Sequence, residues 1–300
     1  MNLLNMFHKD HLEETLMRGV LWFYAKLKPQ ITELRGRRLR AHCSRRGLGA
    51  RVEEIQTLRI PAWHMNCGPA GKVRPGCSKL GGLPDVTDDF IWPELEGRAY
   101  KFMAQINLAE LPKHPDRRAA GMLPASKGLM LFFSNFLDKP TVGVPPLVYL
   151  LQHTRSAPLR PAVLPAALQS TDANQPALPL IISAGWSLPY NGHSHAPPHW
   201  TESERQALDT WMEEIFEREI EEIGGHQFMG CANAIQYEPE QTLDKSYPVP
   251  GTNWQQLLQV KSNKTRDWQF GDMGELIWLV PAAATRLGDF RLTTTEVVGG

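Results

Sequence analysis

The sequence predicts an α+β fold: an antiparallel β-sheet scaffold from a diverged internal duplication, with N-terminal helices and one long amphipathic acidic helix. Three observations lead to this prediction. Short apolar segments rich in aromatic residues recur along the chain, as strands do. Residues 201–223 have the three- and four-residue apolar spacing of a helix. Motifs of the first half return in the same order in the second half, which favours a repeated unit.

Residues 1–56 are predicted to form basic N-terminal helices. Apolar residues recur at helical spacing in the first of them, at Leu12, Leu16, Val20, Phe23 and Leu27. Pro29 is expected to separate this helix from a second, more basic one. Residues 1–51 contain 11 Lys or Arg against 4 Asp or Glu, so their net charge is +7.

Residues 57–300 are predicted to form one β-rich domain that contains both repeats. The first repeat covers about 57–151, with strands expected at 57–63, 100–108, 128–136 and 147–151. An insert at 152–200 is rich in Pro, Ala, Gln and Ser, and is expected to be irregular apart from one brief strand at 178–183. The second repeat covers 226–300, with strands expected at 254–262, 274–282 and 290–298.

The duplication is inferred from three pairs of motifs. SKLGGLP (78–84) matches HQFMGCA (226–232), FMAQINL (102–108) matches LLQVKS (257–262), and GLMLFF (128–133) matches GELIWL (274–279). The aligned pairs are Gly82 with Gly230, Gln105 with Gln259, and Gly128 with Gly274. Each glutamine is expected to satisfy neighbouring backbone groups, and a shared polar site lined by the pair is the alternative.

Residues 201–223 are predicted to be the long acidic helix. Thr201 and Glu204 have the spacing of a capping box, and Gly224–Gly225 are expected to end the helix. The segment contains nine acidic residues and two arginines, a net charge of −7. Its predicted apolar face consists of Leu208, Trp211, Met212, Ile215, Phe216, Ile220 and Ile223.

The acidic face of this helix is the candidate partner-binding site, formed by Asp209, Glu213, Glu214, Glu217 and Glu221. Like charges four residues apart destabilise a helix by about 0.2–0.5 kcal/mol per pair. A helix that needed only solubility could mix signs, so an acidic surface that attracts a basic protein is one interpretation. A solvated outer face is another, and internal pairing with the basic N-terminal segment is a third.

SKLGGLP invites comparison with a phosphate-binding loop, but the order of its residues is wrong. A Walker A loop places Lys and Ser directly after the last glycine. Here Ser78 and Lys79 precede the glycines, and Asp85 follows shortly after. The stretch is therefore predicted to be a turn whose glycines adopt positive φ and lead into a strand.

No catalytic residue, metal site or cofactor is predicted. His193, His195 and His199 lie in a Pro-rich loop without a Cys or carboxylate at matched spacing. His64, Cys67 and Cys77 lack a fourth zinc ligand nearby, and Asp85, Asp88 and Asp89 lack the remaining ligands of a calcium loop. The chain also has no G-x-S-x-G nucleophile elbow.

The composition is that of a cytoplasmic protein. Lys plus Arg and Asp plus Glu both number 32 in 300 residues, so neither nucleic acid nor a membrane is expected as a partner. The N-terminus lacks the pattern of a signal peptide, and the apolar stretch at 19–27 is too short to span a bilayer. Four irregularly spaced cysteines, Cys43, Cys67, Cys77 and Cys231, favour free thiols.

From residue 57 to 298 the motifs, taken in order, resemble the YwqG-like bacterial family of domains of unknown function. They are SKLGGLP (78–84), DDFIWP (88–93), FMAQINLAELP (102–112), GLMLFF (128–133), MGCANAIQ (229–236), LLQV (257–260) and GDMGELIWLV (271–280). The resemblance implies an α+β fold on antiparallel sheets and carries over no catalytic residue. It also implies an immunity role, since some members are thought to neutralise toxins, including nuclease effectors of type VI secretion systems.

The expected function is therefore that of a non-enzymatic cytosolic immunity protein that occludes the functional surface of a cognate toxin, with a basic nuclease domain as the suspected partner. The alternative is a small-molecule-binding protein or an enzyme with a site between the two repeats. Direct nucleic-acid binding through residues 35–51 is a third, less favoured interpretation.

Overall fold

A computed structural model describes residues 36–71, 73–134, 146–152, 158–168, 176–189, 195–221, 225–232, 234, 237–262, 268–270 and 274–299, with only the backbone for 215–221. Within these residues, ten strands form one antiparallel sheet and helices pack against it, which confirms the α+β class. The first predicted helix, around Leu12 to Leu27, lies outside the described residues. None of the described helices has the length and apolar character needed to cross a membrane.

The strands are β1 (Ile60–Cys67), β2 (Lys79–Leu80), β3 (Asp85–Val86), β4 (Glu94–Leu95), β5 (Arg98–Ala99), β6 (Lys101–Asn107), β7 (Leu129–Ser134), β8 (Val148–Leu151), β9 (Arg160–Pro161), β10 (Leu178–Ser187), β11 (His226–Phe228), β12 (Trp254–Lys261), β13 (Glu275–Pro281) and β14 (Thr294–Val298). The α-helices are α1 (Gly36–Arg45), α2 (Val52–Leu58), α3 (Arg118–Met122), α4 (Glu202–Glu221), α5 (Pro239–Ser246) and α6 (Ala282–Leu287). The order in the large sheet is β14-β13-β12-β11-β1-β10-β2-β6-β7-β8, while β3–β9 and β4–β5 form two small ribbons.

The centre of the large sheet is the antiparallel pair β1–β10, with Ile60 opposite Ser187 and Cys67 opposite Leu180. This corrects the expectation for 152–200, because β10 is a ten-residue central strand rather than a brief one in an irregular insert. The expectation of an irregular insert rested on the Pro, Ala, Gln and Ser content of the whole segment. Pro179 is tolerated because it lies near the start of the strand. Its carbonyl oxygen accepts a hydrogen bond from the Gly68 N–H at 2.7 Å.

Four strands extend from each side of this central pair. We call β2, β6, β7 and β8 the first wing, and β11, β12, β13 and β14 the second wing. β1 precedes the first wing in sequence but pairs with β11, and β10 precedes the second wing but pairs with β2. Each central strand therefore pairs with the wing that follows the other central strand in sequence. This exchange joins the two halves of the chain.

The two wings share a local geometry at their inner ends. Gly81 after β2 has φ 62°, and Met229 after β11 has φ 59°. The Gly81 N–H donates to the Met103 carbonyl at 2.8 Å, and the Met229 N–H donates to the Leu257 carbonyl at 2.9 Å. Both acceptors lie at a register shift of the long strand beside the turn. The same turn and bulge therefore occur twice in the chain.

The main core lies where the curled sheet brings the wings together. The rings of Phe132 on β7 and Trp278 on β13 are 5.7 Å apart in an edge-to-face arrangement. The Trp278 indole N–H also donates to the Phe133 carbonyl at 2.8 Å. These residues belong to one buried apolar cluster that includes strands of both wings. The wings therefore bury their apolar faces against each other.

Two smaller apolar clusters join helices to the sheet. One joins α1, α2 and α4 to the end of β10 through fully or nearly fully buried side chains, among them Leu39, Ile55, Trp186 and Trp211. The other joins α5 to β12 and β13 through Leu243, Trp254 and Leu279.

The predicted strand at 57–63 was placed too early, because α2 continues to Leu58 and β1 begins at Ile60.

Candidate functional site

The candidate partner-binding residues lie on α4, which begins at Glu202 as the capping box predicts. The Thr201 N–H donates to the Glu204 carboxylate at 2.8 Å, and the Glu204 N–H donates to the Thr201 hydroxyl at 3.3 Å. These reciprocal bonds satisfy helix-end donors that have no intrahelical partner. The first turns of α4 are therefore held by local bonds as well as by tertiary packing.

The five predicted residues do not share one environment. Asp209 is half-buried, whereas Glu213 and Glu214 are exposed. Glu217 and Glu221 lie on the same helix, but their side chains are outside the described residues. Trp211 and Met212 are buried in the cluster that α4 shares with α1, α2 and the end of β10. In the described turns of α4, Glu213 thus faces away from the apolar anchor, whereas Glu214 is exposed but paired with Arg46.

The basic segment packs against this helix, as the internal-pairing interpretation expected. Arg46 forms an ion pair with Glu214, and the Arg51 Nε lies 2.8 Å from a carboxylate oxygen of Glu204. Hydrogen bonds from Arg51 and the Thr201 backbone lower the pKa of Glu204 to about 2. Part of the positive charge of residues 1–51 is therefore neutralised by acidic residues of 201–223 within the same chain.

Aromatic rings strengthen the same contact. The Arg46 guanidinium lies over the Trp211 ring at 5.2 Å, and the His42 ring stacks on that tryptophan with 6.0 Å between the ring centroids. The Arg51 guanidinium lies 5.7 Å from the Trp200 ring. Cation–π contacts of this kind contribute roughly 0.5–1 kcal/mol at partly exposed sites. The α1–α4 contact is thus both apolar and charged.

The SKLGGLP stretch forms a structural network and not an anion cradle. Lys79 is almost fully buried, and its Nζ donates to the Asp85 carboxylate at 2.9 Å. The Gly76 N–H and the Gln105 side-chain amide donate to the same oxygen at 2.8 and 2.6 Å. Gln105 Oε1 accepts from the Asp85 N–H at 2.9 Å. The lysine that suggested phosphate chemistry is therefore committed to an internal carboxylate, and Gln105 satisfies backbone and side-chain groups as expected.

Two buried histidines lie near the centre of the sheet. His226 Nδ1 accepts from the Lys261 N–H at 3.1 Å, so its Nε2 carries the ring proton and donates to Cys67 Sγ at 3.3 Å. Burial lowers the pKa of His226 to about 3 and that of His64 to about 4. Both rings are neutral near pH 7, so His226 does not supply the positive charge that would favour a Cys67 thiolate.

A second polar network surrounds the turn after β11, and the sequence did not indicate its partners. The Cys231 N–H donates to the Ser187 hydroxyl at 2.8 Å, and the Ala232 N–H donates to Glu240 at 2.7 Å. Burial raises the pKa values of the Cys231 thiol and the Glu240 carboxyl, which favours their neutral forms. Glu240 lies in the first turn of α5, a helix that the sequence reasoning missed.

The histidines considered as metal ligands have other partners. His195 Nε2 lies 2.9 Å from Glu238, and His199 Nε2 lies 2.9 Å from Glu54, while His193 is outside the described residues. Asp88 pairs with Arg160 at the surface, away from the buried Asp85. Over the described ranges, no three or more His, Cys, Asp or Glu residues are grouped in a way that could hold a metal ion.

Most of the chain matches the model of a protein family. The model of the family described as "Domain of unknown function (DUF1963)" matches residues 78–296, which include every strand except β1 and the last residues of β14. A search of the curated proteins finds no match.

Proposed function

The chain belongs to the DUF1963 family of unknown function, and from that premise we propose that it is a cytosolic immunity protein of the YwqG-like type. It binds and neutralises a cognate bacterial toxin, a nuclease effector of a type VI secretion system, by covering the toxin's functional surface. The resemblance of its ordered motifs to that group suggests the role, and the geometry of α4 suggests the surface.

The observation that carries the proposal is the orientation of α4. Trp211 and Met212 hold the helix against the protein, while Glu213 is exposed and Glu214 is exposed beside its partner Arg46. A nuclease presents basic residues to nucleic acid, so a fixed acidic helix is electrostatically complementary to its substrate-binding surface. Complementary charge of this kind accelerates association and selects against other partners. Asp209, Glu217 and Glu221 continue the acidic series along the helix.

A finer description of the fold belongs to the same proposal. We infer that the two wings derive from a diverged internal duplication, and that β1 and β10 exchanged wings after it. The paired motifs support this, as do the matched φ values of Gly81 and Met229 and the matched bonds to Met103 and Leu257. In this description α4 lies between the repeats in sequence, so a partner-binding element was added without interrupting either wing.

The test is co-purification of the chain with the product of the adjacent toxin-like gene. Wild type is expected to form a complex that blocks the toxin's activity. Glu213→Lys combined with Glu217→Lys is expected to slow association by on the order of tenfold, because it reverses two charges at the predicted interface. The free energy of unfolding is expected to change by less than about 0.5 kcal/mol, as for most surface substitutions.

Glu94→Lys on β4 is the matched control, since Glu94 is an exposed acid on a different element. It should bind the toxin as wild type does. Absence of any complex with the toxin would contradict the immunity role. A complex whose association is unaffected by Glu213→Lys combined with Glu217→Lys would show that the interface lies elsewhere on the protein. A small molecule retained through purification and detected by mass spectrometry would instead favour the ligand-binding or enzymatic alternative.

A further inference from the structure

Helix α1 has two sides of opposite character. Leu39 and Cys43 are completely buried in the cluster shared with α4. A helix turns by about 100° per residue, which places Arg37 and Arg45 on the side facing away from those two residues and Arg40 at the edge of this outward face. All three arginines are exposed. The short side chains of Ala41 and Ser44 lie between them on the same side.

This outward face carries charge that the described parts of the chain do not neutralise. Arg46 and Arg51 form ion pairs with Glu214 and Glu204, whereas no ion pair within the described ranges involves Arg37, Arg40 or Arg45. The surrounding sequence, residues 34–52, contains seven arginines and no Lys, Asp or Glu. The chain is neutral as a whole, but this helix presents a concentrated positive surface.

We propose that the outward face of α1 binds the phosphate backbone of double-stranded nucleic acid without reading its sequence. Arginine suits this partner because its planar guanidinium donates two parallel hydrogen bonds to a phosphate. Ala41 and Ser44 allow the backbone to approach the helix closely. Arg37, Arg40 and Arg45 would each contact a phosphate, and contacts of this type position a protein on a duplex without specifying bases.

The composition of the face distinguishes this partner from other anionic ones. A bilayer requires an apolar face that can enter the lipid, but Leu39 and Cys43 are already buried against α4. A protein partner would be anchored by aromatic or other large apolar side chains, and the outward face has none. Single strands are held by stacking on aromatic rings. The one aromatic ring of α1 is that of His42, which is stacked on Trp211.

The acidic helix does not oppose this assignment, because it lies on the other side of α1. His42 and Arg46 contact Trp211 and Glu214, so they mark the side that faces α4. Salt screens charges beyond about 8 Å at physiological ionic strength. A duplex on the outward face would therefore interact more strongly with the arginines beside it than with the acids of α4. The proposal does not depend on the immunity role, because its test contains no toxin.

The test is fluorescence anisotropy of the full chain with a short labelled DNA duplex over a range of salt concentrations. Three phosphate contacts predict that log Kobs falls with log[salt] with a slope of about −3. Arg40→Gln should weaken binding equally for unrelated sequences and make the slope shallower by about 1. Arg37→Gln/Arg40→Gln/Arg45→Gln should abolish binding without a change in melting temperature, since all three side chains are exposed.

Arg117→Gln removes an exposed arginine outside α1 and is expected to bind as wild type does. Absence of salt-dependent binding, or unchanged binding by the triple variant, would overturn the proposal. Tighter binding to a single strand of equal length would overturn the assignment to duplexes. Equal binding to anionic lipid vesicles, or to an acidic protein such as polyglutamate, would show general anion attraction and would also overturn it.

Discussion

The histidines at the centre of the sheet show how strongly burial constrains single residues. His64 and His226 are 4% and 1% exposed, and both are neutral in the folded chain because burial disfavours the charged ring. In the unfolded chain each ring has the ordinary pKa of about 6.5. Unfolding below that value therefore takes up a proton at each histidine, and stability must fall as the pH falls.

This gives a prediction for pH dependence. Between pH 6.5 and pH 5, each buried histidine is expected to reduce the free energy of unfolding by roughly 1.6 kcal/mol, because the folded pKa values of about 4 and 3 lie below that window. Urea unfolding at several pH values measures the effect. His64→Gln should reduce the slope of stability against pH in this window, whatever its effect at pH 7.

His199→Gln is the control, because His199 is exposed and contacts the surface carboxylate of Glu54. It should leave the slope close to that of wild type. A slope that stays unchanged in both His64→Gln and His226→Gln would show that these rings are not the groups that take up protons. Carboxylates with lowered pKa values, such as Glu204, would add their loss only at lower pH.

At the scale of elements, the turn after β11 is held by a glycine that the motif comparison had singled out. Gly230 has φ 95°, and a Cβ on it would lie 2.4 Å from Ser187 Oγ and 2.9 Å from the Ala62 Cβ. The Ser187 hydroxyl cannot easily rotate away, since it accepts the Cys231 N–H. The turn therefore requires both the conformation of glycine and its lack of a side chain.

Gly230→Ala is expected to reduce the free energy of unfolding by roughly 2–4 kcal/mol, because steric overlap adds to backbone strain. The matched control is Gly251→Ala. Gly251 has φ 76°, but a Cβ there would meet nothing within 4 Å. Only the conformational penalty of about 1–2 kcal/mol should appear in the control. Chemical denaturation of the two variants measures the difference, and equal losses would contradict the steric explanation.

Local patterns predicted some of these elements and could not predict others. The spacing of Leu208, Trp211 and Met212 and the capping pair Thr201 and Glu204 indicated α4, since both depend on residues within a few turns. The place of β10 depends on strands that pair with it from distant parts of the chain, so the Pro-, Ala-, Gln- and Ser-rich composition of 152–200 was misleading.

The candidate site was predicted less completely than the fold. Charge counts revealed the opposite signs of 1–51 and 201–223, but not which residues meet. The pairs Arg46–Glu214 and Arg51–Glu204 join positions more than 150 residues apart. Similarly, nothing in SKLGGLP alone shows that Lys79 is buried against Asp85. Long-range contacts of this kind are determined by how the sheet curls, which a one-dimensional pattern does not contain.

At the scale of the whole molecule, the two wings share one core. Phe132 and Trp278 contact each other across it, and the Trp278 indole N–H bonds to the backbone of β7 at Phe133. β1 and β10 also pair with opposite wings. Neither wing can therefore lose its packing alone without exposing apolar surface of the other, so cooperative unfolding of both is expected.

Trp278→Phe tests this coupling because it removes both the bond to Phe133 and part of the ring that contacts Phe132. The expected loss is about 2–4 kcal/mol, from a small cavity and an unpaired buried carbonyl. Native-state hydrogen exchange should show this loss equally in amides of β6 and β7 and in those of β12 and β13, because the most protected amides exchange only on global opening. Leu243→Ala, in the separate cluster beneath α5, is the comparison, and it should affect α5 amides first. If Trp278→Phe lowered protection in the second wing alone, the wings would be independent units, and the shared core would not account for the stability of the sheet.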